Sequence, residues 1–89
     1  MAWTVYILRC GDGSLYTGIA IDVEARLIAH RAGKGARYTR SRPPLRLVYR
    51  QRVRDKSAAL RRELQIKAMT RTEKDALIRK RRRRASATM

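Results

Sequence analysis

Trp3-Thr4-Val5-Tyr6-Ile7-Leu8-Arg9-Cys10-Gly11-Asp12-Gly13-Ser14-Leu15-Tyr16-Thr17-Gly18 is the stretch that decides the fold. Trp3, Val5 and Ile7 alternate with Thr4, Tyr6 and Leu8, and β-branched and aromatic types dominate, as in a strand. Gly11-Asp12-Gly13 supplies the backbone freedom of a tight turn. Leu15 to Ile21 again reads as a strand, and Gly18 inside it marks a bulge or a close approach of another group. The pair forms a β-hairpin with a tyrosine on each arm. Each phenol can donate, accept or, less easily, lose a proton.

Working outward, Asp22 is a good N-cap and Glu24 suits a first helical turn. The first helix should run from Val23 to about Arg31 and end at Gly33 and Gly35. Val23 and Leu27 mark its inward stripe, with Arg26 and His30 together on one face beside it. Ala32 to Pro44 reads as a loop. It carries Lys34, Arg37, Tyr38, Arg40 and Arg42, a mixture suited to phosphate contact and base stacking. Leu45 to Val53 alternates apolar with basic residues, Val48 being the exception, and predicts a strand with one wet, positive face. Asp55 or Ser57 should cap a second helix reaching about Met69. Thr72 and Asp75 suggest a capping box for a third helix that fades into the basic tail. The expected architecture is α+β: a three-stranded sheet, the N-terminal hairpin plus one later strand, packed with about three helices.

At 89 residues the chain is one domain, expected as residues 1–78 followed by a basic, disordered tail over 79–89. The single cysteine, Cys10, excludes an intramolecular disulfide and a cysteine-based zinc site. No apolar run is long enough to span a bilayer, and no signal peptide is evident. A cytoplasmic protein is expected. The formal net charge of +16 is unevenly placed. From Arg26 to Arg62 the only acid is Asp55, and residues 79–84 are Arg-Lys-Arg-Arg-Arg-Arg. A polyanionic partner, nucleic acid before an anionic membrane, tolerates such a load most simply.

Glu63 stands out as the only acid between Asp55 and Glu73. Helical spacing places it at the edge of the buried face, near Leu60 and Leu64. Lys67, four residues on, offers an ordinary ion pair. Alternatively, one carboxylate with waters and phosphate oxygens is a common ligand set for Mg²⁺.

Thr4-Val5-Tyr6, nine residues, then Tyr16-Thr17-Gly18 resembles the paired signature of the GIY-YIG nuclease domain. The likeness covers roughly residues 3–78. It is strongest to small stand-alone bacterial members through Val5-Tyr6-Ile7-Leu8, Gly33-Lys34-Gly35-Ala36 and Tyr38-Thr39-Arg40-Ser41. The resemblance implies a catalytic set of Tyr6, Tyr16, Arg26, His30 and Glu63, with Mg²⁺ or Mn²⁺ on Glu63. It implies an endonuclease acting on DNA more than RNA, directed by substrate structure or by a protein partner, and associated with the nucleoid. Either tyrosine could take the proton of the attacking water, Tyr16 being slightly favoured, with Arg26 and the positive field lowering the phenol's pKa. Two departures favour instead a non-catalytic DNA- or RNA-binding protein on the same fold. Ile19 stands where members often carry lysine, and the chain has no asparagine.

Overall fold

The computed structural model describes residues 1–87, with side chains through residue 81. Strands β1 (Trp3–Arg9), β2 (Leu15–Ala20) and β3 (Arg46–Val53) form one sheet in the order β2-β1-β3. Both pairings are antiparallel. Helices α1 (Val23–Arg31), α2 (Arg37–Arg40), α3 (Lys56–Lys67) and α4 (Arg71–Ala87) complete the α+β fold.

β1 is central and buried on both faces, which explains its nearly continuous apolar run. On one face Val5 and Ile7 pack with Tyr49, Ala59, Ile66 and Ile78, joining the sheet to α3 and α4. On the other, Tyr6 and Leu8 pack with Ala20 and Val23, joining it to α1. Alternation along one strand therefore sends Tyr6 to the α1 side. Val48, the exception in the β3 pattern, sits at a bulge. Ile7 pairs with Tyr49 and Leu8 with Leu47, so Val48 is the extra residue. The slip lets Tyr49 face α3 while Leu47 packs beside Tyr6 and Leu8.

Helix ends follow local chemistry. The Asp22 carboxylate accepts from Ala25 N–H at 3.0 Å and starts α1. At its other end Gly33 adopts φ 77°, while Gly33 N–H donates to His30 O and Lys34 N–H to Ala29 O. This is the paired C-terminal hydrogen bonding of a Schellman motif, which favours glycine. Asp55 rather than Ser57 caps α3, accepting from Ala58 N–H at 2.8 Å.

Three boundaries differ from expectation. The segment expected as loop contains α2, a single turn that makes four helices rather than three. The capping box of α4 is Thr70 and Glu73, not Thr72 and Asp75, because α3 ends at Lys67 and leaves Thr70 to begin the next turn. α4 also crosses the boundary expected at residue 79 and continues to Ala87. Arginine and lysine are good helix formers, and cations suit a helix C-terminus. Residues 88 and 89 of the expected tail lie outside the described residues.

Ile66 is fully buried between α3 and the sheet. Ile66→Ala should lower stability by about 2–5 kcal/mol through lost burial and a residual cavity. Urea unfolding would show a reduced midpoint, whereas an unchanged midpoint would contradict this packing.

Candidate active site

Tyr6 on β1 pairs with Gly18 on β2, and Leu8 with Tyr16, so both tyrosines lie on the sheet face toward α1. A Cβ at Gly18 would lie 2.6 Å from Tyr6 Oη and 3.2 Å from a Tyr16 ring carbon. Glycine is therefore required here to let the phenol lie flat across the neighbouring strand. Gly35 does the same for His30, because a Cβ there would overlap the imidazole ring.

His30 and Arg26, one turn apart on α1, reach the tyrosines from above. His30 is buried rather than emerging beside the apolar stripe. Its Nε2 lies 2.8 Å from Tyr6 Oη, and its Nδ1 lies 2.8 Å from Thr39 Oγ1. The Thr39 hydroxyl donates to Ala36 O at 3.0 Å. With the hydroxyl proton on that carbonyl, Nδ1–H is the donor to Thr39. Nε2 is then left with its lone pair toward the phenol of Tyr6. In the other tautomer Nδ1 accepts from Ala36 N–H at 3.3 Å and Nε2–H donates to Tyr6 Oη, with the Thr39 hydroxyl between two acceptors.

Burial and the nearby Arg26 charge hold the His30 pKa below its ordinary value. The imidazole is thus neutral at neutral pH. Tyr6 moves the other way from the expected lowering: burial, then the neighbouring Tyr16, raise its pKa above that of a free phenol. Arg26 opposes this shift but does not outweigh it.

Glu63 enters from α3, the layer on the other side of the sheet, and closes a cleft of about 200 Å³. Tyr6, Tyr16, Arg26, His30 and Glu63, far apart in the chain, all line it. The Glu63 side chain is only 16% exposed and pairs with Lys67 Nζ at 3.4 Å. Lys67 itself is half-exposed, so the ion pair can open without repacking. Among the described residues no three His, Cys, Asp or Glu side chains converge as a metal cage. One hard carboxylate oxygen donor in an open, polar cleft nevertheless fits a Mg²⁺-type ion, which retains waters and takes phosphate oxygens.

The loop residues separate into groups. Tyr38 stacks on Tyr16, with centroids 6.1 Å apart and planes 23° apart, and remains partly exposed. Arg42 caps this stack, its guanidinium carbon 4.0 Å from the Tyr38 ring centre. Arg42 also donates to Asp12 Oδ2 and to Tyr38 O, tying the β1–β2 turn to α2. Lys34, Arg37 and Arg40 are exposed and lie outside the cleft lining. Thr39, buried under His30, is a site residue that the sequence reading does not single out.

A tyrosine pair, an arginine, a neutral histidine and a lone carboxylate thus surround one cleft. The sequence pattern of the GIY-YIG catalytic domain matches residues 2–76, and the chain belongs to this family of nucleases. A UPF0213 protein of Staphylococcus epidermidis is 55% identical over 74 residues, covering 83% of this chain and 90% of the relative. A UPF0213 protein of Desulfotalea psychrophila is 51% identical over 78 residues, covering 86% and 71%. The solution NMR structure of a UPF0213 protein from Bacillus halodurans superposes with a TM-score of 0.58 at 46% identity, covering 88% of this chain and 83% of the other. An E. faecalis protein, also solved by solution NMR, gives 0.63 at 32% identity, covering 90% and 85%. The family implies a nucleic-acid partner and general dependence on a divalent cation. No helix among the described residues is long and apolar enough to cross a membrane.

Gly18→Ala tests the close approach of Tyr6. The added methyl should cost about 1–3 kcal/mol and displace the phenol from His30. Thermal unfolding and the His30 ring signals in NMR would report both effects. Wild-type stability with an unchanged His30 environment would contradict the geometry.

Proposed function

We propose that the chain is an endonuclease that uses Mg²⁺ or Mn²⁺ to hydrolyse phosphodiester bonds in DNA, guided by substrate structure rather than sequence. The observation that carries this reading is the hydrogen bond between Tyr6 and a neutral, buried His30 in a cleft shared with Arg26 and Glu63. A nucleoid location in the cytoplasm follows from the reading, and a protein partner could direct the chain to its substrate.

Tyr6 is too weak an acid to stand as a free phenolate at neutral pH. Its hydroxyl can nevertheless take a proton from water while passing its own to His30 Nε2. This favours Tyr6 over Tyr16 as the group beside the nucleophile, since His30 meets Tyr16 only edge-on, with centroids 5.4 Å apart. Thr39, with its hydroxyl turned to Ala36 O, would hold the imidazole in the tautomer that can accept that proton. Arg26, always charged, binds the non-bridging oxygens as negative charge grows on them. Glu63 would hold the divalent cation, which when bound supplies charge neutralisation for the phosphate and for the departing 3′-oxygen. Tyr38 and Tyr16 offer a stacking surface at the cleft mouth, while exposed Lys34, Arg37 and Arg40 approach the flanking phosphates. Arg42 assists by holding Tyr38 in place.

A non-catalytic nucleic-acid-binding role is the second reading. Ile19 at the cleft edge and the Lys67–Glu63 ion pair favour it.

Nicking of supercoiled plasmid and cutting of branched oligonucleotides separate the two. With Mg²⁺ or Mn²⁺, the wild type should cleave, and EDTA should abolish cleavage. Tyr6→Phe, Arg26→Ala and Glu63→Ala should each reduce the rate by about 10²-fold or more while DNA binding persists. Equal trace cleavage in every variant, or none in the wild type, would leave the binding role.

A further inference from the structure

Arg62 and Glu63 are neighbours on α3 and leave the helix about 100° apart. Glu63 enters the cleft, whereas Arg62 turns toward β3. There Tyr49, Gln51, Arg62, Leu77, Lys80 and Arg81 wall a separate pocket of about 140 Å³ between β3, α3 and α4. Its interior is organised rather than merely basic. The buried Tyr49 donates its hydroxyl proton to Gln51 Oε1 at 2.7 Å. Arg62 Nε donates to the same oxygen at 3.0 Å, and Arg62 Nη1 donates to Gln65 Oε1 at 3.1 Å.

A guanidinium only donates, so these contacts fix the Gln51 oxygen toward Arg62 and make the amide NH₂ its uncommitted end. That NH₂, Arg62 Nη2, Lys80 and Arg81 form no hydrogen bond or ion pair among the described residues. Among the described residues no carboxylate walls the pocket. The acids of α3 and α4 are engaged elsewhere: Glu63 with Lys67, Asp75 with Arg71, and Glu73 with the Thr70 backbone. The pocket therefore presents donors and positive charge from three separate elements, with Arg62 already held in position. Convergent donors with a pre-positioned guanidinium match a tetrahedral group bearing several acceptor oxygens.

We propose that the pocket formed by Gln51, Arg62, Lys80 and Arg81 is a second phosphate-binding site, which takes the backbone of a nucleic-acid segment other than the one entering the tyrosine cleft. In the sequence, Lys80 and Arg81 belong to a basic run, Arg79 to Arg84, of the kind that suits an extended polyanion and that a small anion does not require. Two phosphate sites on different faces of α3 suit a nucleic acid that bends or branches around the domain. The inference rests on the nucleic-acid partner of the proposed function but not on turnover.

The full chain, in EDTA, would be titrated with inorganic phosphate and separately with a DNA duplex while ¹H–¹⁵N NMR follows the Gln51 side-chain amide and Arg62 Nε–H. Both probes should shift these signals saturably. Gln51→Glu keeps an oxygen for Tyr49 and Arg62 but fills the pocket with negative charge. It should abolish the phosphate shifts and weaken duplex binding about tenfold, or 1.4 kcal/mol. Lys80→Ala/Arg81→Ala, at exposed positions, should reduce the slope of log affinity against log salt by about 2. Absence of shifts with both probes would overturn the proposal. Shifts with inorganic phosphate alone, with duplex affinity and salt slope unchanged in both variants, would make this a small-anion site and overturn its assignment to nucleic acid. Binding in EDTA involves no cleavage, so failure here is distinguishable from failure of the nuclease reading.

Discussion

The contact on which the site depends is the 2.8 Å hydrogen bond between Tyr6 Oη and His30 Nε2, closed over a glycine that leaves room for it. A buried phenol or imidazole without a partner would be costly, and each supplies the other's partner. Thr39 then satisfies the far ring nitrogen, so the polar chain runs from the central strand through α1 to α2 without an orphan on the imidazole. The same burial keeps His30 neutral and Tyr6 protonated. Packing and proton chemistry are thus set by one arrangement.

The fold places this chain of bonds by using both sides of its central strand. Val5 and Ile7 anchor α3 and α4, while Tyr6 and Leu8 face α1. A carboxylate from one layer and a histidine and arginine from the other consequently meet at a single cleft. The bulge at Val48 fits the third strand to both layers by changing which side of the sheet its residues face. α3 has a double role: Glu63 serves the cleft on one face, and Arg62 the basic pocket on another.

Much of this was legible in the residues. The hairpin alternation, the Asp22 cap and the glycines after Arg31 locate β1, β2 and α1 because each is local chemistry. Glu63 was conspicuous as a lone acid in a basic stretch. Other features depend on contacts closed across the chain. α2 is one turn long and has no periodicity to read. Thr70/Glu73 and Thr72/Asp75 fit the same capping pattern, and only the end of α3 selects between them. Thr39 resembles any polar loop residue until the loop folds it under His30. The raised pKa of Tyr6 was not legible either, since net charge suggests the opposite sign and burial decides it.

The most direct test is ¹⁵N NMR of the His30 ring in the intact chain, titrated through the histidine range. The proposed proton path through Tyr6 predicts one neutral tautomer at neutral pH, protonated at Nδ1, with Nε2 accepting from Tyr6. It predicts protonation only below the ordinary histidine pKa of about 6.5. A ring that is charged at neutral pH, or that carries its proton on Nε2, would contradict the proton path through Tyr6.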